Sequence, residues 1–76
     1  MMKWYSVEIA YYSRETINRA DNFKMWLYDH EYKFEISGIS GHPQFVHFEI
    51  YASPEDLDIL QSALDKIVFF DAITAQ

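Results

Sequence analysis

Seventy-six residues make one domain, taken as 1–76, and with 50% of them hydrophobic and 18% aromatic the chain can fill a core despite its size. With no cysteine, a disulfide framework and a thiolate metal site are excluded; small secreted domains depend on such staples, so a cytoplasmic home is expected. Twelve acidic against six basic residues give a net charge of −6, which repels phosphate backbones and suits a partner with a basic surface.

From Met1 to Glu8 there is no apolar run of signal-peptide length, and nowhere do the ~20 apolar residues of a membrane span occur. No membrane association is expected. Residues 3–12 alternate with period two, which predicts a strand with Tyr5, Val7, Ile9 and Tyr11 inward and Trp4, Ser6, Glu8, Ala10 and Tyr12 outward. Ser13 is an N-cap type, and Glu15 follows in the first turn where the helix dipole favours an acid. At ~100° per residue, Thr16, Ile17, Ala20, Phe23, Leu27 and Tyr28 share one arc of a helix running to about Asp29. Trp26 falls nearly opposite Ile17 and Met25 falls off the stripe, a second candidate contact surface.

Residues 31–37 alternate again, with Tyr32, Phe34 and Ile36 inward, and the turn-rich 38–43 joins them to a third strand at 44–52. There Val46, Phe48, Ile50 and Ala52 point inward, while Phe45, His47, Glu49 and Tyr51 point outward. Ser53-Pro54-Glu55-Asp56 is a helix start: a capping serine, proline at the first helical position and two acids in the first turn. Leu57, Leu60, Gln61 and Leu64 continue at helical steps to near Lys66, and Ile67–Phe70 reads as a last strand before a frayed tail.

The order β-α-β-β-α-β is the split βαβ of ferredoxin-like folds, so the expected class is α+β with two helices on one face of a four-stranded antiparallel sheet. The hairpin is expected to pair Ile36 with Val46 and Phe34 with Phe48 on the buried side. On the open side it is expected to set Glu35 by His47 and Lys33 by Glu49, two complementary pairs. Trp4, Tyr12, Phe45 and Tyr51 are then expected to form an apolar strip among the charges of Glu8, Glu35, His47 and Glu49, and such a patch marks a protein interface.

No catalytic, metal or cofactor site is expected. His30, His42 and His47 lack metal-ligand spacing, and Ser13, Ser40 and Ser53 lack the glycine context of a nucleophile elbow. Phe45-Val46-His47-Phe48 resembles the second half of the RNP1 signature of RNA-recognition-motif domains. That resemblance implies a base-stacking Phe45, with Trp4 as the counterpart aromatic on the first strand, and single-stranded nucleic acid as the alternative ligand. Gly41, His42, Pro43 and Gln44 depart from the first half of the signature. The leading expectation is a small, non-enzymatic interaction or regulatory protein, an inhibitor of a basic surface among the options. It would act through Trp4, Glu8, Tyr12, Glu35, Phe45, His47, Glu49, Tyr51 and Trp26, on a protein partner or as a homodimer.

Overall fold

Alternation along the first and third expected strands sorts their side chains as pleating requires. A computed structural model describes residues 1–67 and 70–75, with side-chain surroundings for residues 1–63. The strands β1 (Lys3–Ala10), β2 (Lys33–Ser40) and β3 (Phe45–Ala52) and the helices α1 (Arg14–Asp29) and α2 (Leu57–Ile67) occur in the order β1-α1-β2-β3-α2. Strand β3 lies between β1 and β2 and is antiparallel to both.

The class is α+β, as expected, but the regular four-stranded ferredoxin-like sheet is corrected to three antiparallel strands, β1-β3-β2, with two helices. These three strands carry eight residues each. Residues Phe70–Ala75 run antiparallel beside β1, through a pairing whose register shifts between Val7 and Ile9. The last strand expected at 67–70 is displaced: Ile67 closes α2, and Val68 and Phe69 lie outside the described residues.

The core collects the inward side chains of β1 and β3 with one stripe of α1. Val7, Ile9, Phe23, Leu27, Phe48, Ile50 and Leu60 are its largest fully buried members. Phe23 meets Phe48 edge-on, with ring centroids 5.7 Å apart. Tyr28, expected on the buried arc, is 72% exposed. The buried stripe narrows to Thr16, Ala20, Phe23 and Leu27. No helix among the described residues is long and apolar enough to cross a membrane.

Helix α1 starts as its sequence prescribes. The Ser13 hydroxyl accepts the Thr16 N–H at 3.1 Å, and the Thr16 hydroxyl accepts the Ser13 N–H at 2.9 Å. Threonine thus closes a capping box usually closed by Glu or Gln, which accounts for Thr16 being buried and satisfied. At the other end, the Tyr32 N–H reaches the Leu27 carbonyl at 3.0 Å and the Glu31 N–H reaches the Tyr28 carbonyl at 3.1 Å. This is a Schellman closure, and it puts Glu31 at φ 61°, a left-handed position where glycine is favoured. Glu31→Gly is expected to stabilise the fold by about 1 kcal/mol, read as a higher urea midpoint; a lower midpoint would contradict the cap.

Helix α2 is preceded by a tight turn, Pro54–Asp56, in which the Asp56 carboxylate accepts the Ser53 hydroxyl at 3.0 Å and the Ser53 N–H at 3.3 Å. Burial, then the charge of Asp56 and a hydrogen bond to it, hold the Tyr32 phenol above its ordinary pKa of 10.0. The fold therefore favours the neutral phenol. Its contribution is complete below pH 10 and is lost as pH rises through the raised folded value. Urea midpoints measured between pH 9 and 11 should fall more steeply for the wild type than for Tyr32→Phe; equal slopes would contradict the contact.

The hairpin departs most from expectation. Lys33 lies opposite Tyr51, Phe34 opposite Ile50, Glu35 opposite Glu49 and Ile36 opposite Phe48. The expected pairs Glu35–His47 and Lys33–Glu49 do not form. The register then shifts at Ser37, so that Gly38, Ile39 and Ser40 face His47, Val46 and Phe45. The extra residue is a β-bulge, and the Ser37 hydroxyl donates to the His47 carbonyl at 3.3 Å beside it. Because of the bulge the strand continues to Ser40, where a loop was expected, and a shorter turn closes the hairpin. Gly41, at φ 99°, is needed in that turn: a Cβ there would lie 3.0 Å from the Pro43 carbonyl oxygen.

Candidate functional site

Both helices leave one face of the sheet uncovered, and the observed register arranges that face in four rows. Lys33, Tyr51 and Trp4 form the first, then Glu35, Glu49 and Ser6, then Gly38, His47 and Glu8, and finally Ser40, Phe45 and Ala10. None of these residues belongs to the core cluster except that Ala10 is itself buried. Trp4, Phe45, His47, Glu49 and Tyr51 are all half-buried rather than inside.

In the first row the Trp4 and Tyr51 rings are tilted against each other at 5.2 Å. The Lys33 ammonium stands 5.7 Å from the Trp4 ring centre and 5.9 Å from that of Tyr51. The ring faces attract the cation, and the rings in turn lie along its aliphatic stem. The second row sets two carboxylates directly opposite each other, an arrangement that costs a few tenths of a kcal/mol or more when nothing lies between them.

The third row reaches diagonally into the fourth. His47 Nδ1 is 3.4 Å from a Glu8 carboxylate oxygen, and its Nε2 is 2.8 Å from the Ser40 hydroxyl. Carboxylate, imidazole and hydroxyl thus follow one another as in a nucleophile relay. Acyl transfer also needs a water-poor recess and donors aimed at a developing oxyanion. Glu8 and Ser40 are exposed on a flat sheet, so the arrangement holds the His47 ring in one orientation. Among the described residues no group of three His, Cys, Asp or Glu side chains could hold a metal ion.

The aromatic strip expected between the charges is divided instead. Six steps of extended chain, about 20 Å, take Phe45 to Tyr51, and the acidic row and His47 occupy that interval. Tyr12 is 57% exposed but lies beyond the end of β1, off the sheet face. Trp26 is on the helix side. It stacks on Phe23 at 6.2 Å, His30 at 4.0 Å and Tyr32 at 5.7 Å, so the cover that the helical pattern could not supply comes from His30 and Tyr32. His30 is also anchored through Nδ1, 2.8 Å from the Trp26 carbonyl oxygen, to which it must donate.

A cavity of about 110 Å³ opens at the other face, between α1 and the bulged end of β2, lined by Tyr11, Asp21, Lys24, Ile36 and Ile39 among others. The bulge brings Ile39 to the same side as Ile36, and both stay nearly half exposed there, at 49% and 47%. One open-face partner escaped the sequence reading, Ser40, assigned to a loop, and Lys33, expected on this face, was placed beside the wrong residue. Gly38 inside an alternating segment is the signal that could have revealed the bulge and recovered both.

Comparison with protein families, with curated proteins and with solved structures gives no match at all.

Proposed function

We propose that this chain is a small acidic interaction protein that docks its open sheet face on a basic surface of a protein partner and thereby blocks it. What supports this reading is one arrangement. An acidic row, with Glu8 beside it, is flanked at both ends by half-exposed aromatics on a face that the core does not use. Aromatics supply contact area at little entropic cost, and carboxylates between them select Lys and Arg. The partner and the chain meet in the cytoplasm, and the action is binding rather than catalysis. A second copy of the chain is the other protein that this molecule can meet. Phosphate backbones are disfavoured, because among the described residues three carboxylates share the face with one ammonium, that of Lys33.

The test is cross-linked capture from the native host with the wild type and with Glu49→Lys. A partner with a basic surface, bound more weakly as salt rises and lost with Glu49→Lys, supports the reading. A partner bound equally by both, or a single-stranded RNA as the species captured, overturns it.

A further inference from the structure

Strand β2 is the outer strand of the sheet, paired on one side only. A free strand edge is a template for another strand, and proteins usually guard it with charge, a bulge or brevity. Here the bulge at Ser37 limits any straight pairing to the segment before it, and that segment is complementary to itself. We propose that two copies join edge to edge through β2, antiparallel and centred on Phe34. A two-fold axis at Phe34 sets Lys33 of each copy opposite Glu35 of the other, on the open face. The same axis brings the exposed Ile36 of each copy towards the flank of the other's Tyr32, on the helix side.

The charge pattern favours this occupant. Within one chain Glu35 faces Glu49 on its inner side, and both Lys33 and Glu35 are exposed. Pairing centred one residue further along, on Glu35, would set the two Glu35 carboxylates opposite each other and Lys33 opposite Ser37, and lose both ion pairs. An isologous interface needs such self-complementarity, since every contact occurs twice. The contact is short, so the dimer is of the weak, reversible class. Two copies joined in this way would continue their open faces side by side as one larger acidic surface. The inference concerns the sheet edge and stands whether or not the face binds a partner.

Sedimentation equilibrium over a wide concentration range, at low salt, tests it. The wild type is expected to dimerise, and Lys33→Glu and Glu35→Lys should each raise the dissociation constant about tenfold, by replacing two attractive pairs with two repulsive ones. The double variant K33E/E35K restores complementarity and should return to within roughly threefold of the wild type. A wild type monomeric at every concentration overturns the proposal. So does a dimer that is indifferent to the single reversals, or one that the double variant fails to restore. A dimer dissociated by Phe45→Ser and Tyr51→Ser but not by Lys33→Glu would assign the contact to the face and overturn the edge.

Discussion

Phe23→Ala is expected to cost about 3–5 kcal/mol of stability, the range for removing a buried aromatic ring from a packed core. Phe23 is fully buried, meets Phe48 edge-on at 5.7 Å and lies nearly parallel to Trp26 at 6.2 Å. It is therefore the point where α1, β3 and the stack running through Trp26 to His30 and Tyr32 all meet. Domains of ordinary size are stable by about 5–15 kcal/mol, and one this small belongs near the lower end. The variant should be largely unfolded on warming to 37 °C, with its cooperative urea transition shifted close to zero denaturant. Met25→Ala, two residues on along α1 and exposed, should stay within about 0.5 kcal/mol of the wild type. A Phe23→Ala midpoint near that of the wild type would mean that α1 does not pack on the sheet through this ring.

The second large effect is on binding. Phe45→Ser combined with Tyr51→Ser is expected to weaken the captured partner's affinity by close to a thousandfold. An aromatic anchor at a protein interface contributes about 2 kcal/mol or more, roughly thirtyfold. The two rings stand at opposite ends of β3, far enough apart for their losses to add. The fold should survive, because neither ring is in the core cluster and a strand substitution on the half-exposed face costs about 1 kcal/mol or less. Circular dichroism and the urea midpoint separate the two losses. A folded double variant that still binds at the wild-type level would remove the aromatics from the interface.

How much of this was legible in the sequence depends on the range of the interaction involved. Ser13 announces the start of α1, and Ser53-Pro54 the tight turn that leads into α2, because such signals act within three or four residues, and the alternation in β1 and β3 gives the two faces because pleating is strict. The register of β2 depends on one inserted residue. Ser37 carries no side-chain property that marks it as the extra one, and its neighbour Gly38 reads as the start of the turn, so constant alternation predicted the wrong partners for Lys33 and Glu35. The same bulge hid the Ser40 hydroxyl beside His47. Trp26 looked stranded because its cover comes from beyond the helix stripe. His30, one turn on, was within reach of the pattern, while Tyr32 arrives only once the chain reverses at Glu31. At the site, the open-face residues within β1 and β3 were legible, but Ser40 on the face, Tyr12 off it and the division of the aromatics into two ends were not, since these need the strand ends and all three strands in register.

The central claim is that the sheet face opposite the helices is open in the free chain and covered in the complex. Carbene footprinting of the free chain, and of the chain bound to its captured partner, tests this directly. The expected result is labelling of Trp4, Phe45 and Tyr51 in the free chain and their protection in the complex, with Met25 labelled in both. Labelling of these three rings that is absent from the free chain, or unchanged on binding, would contradict it.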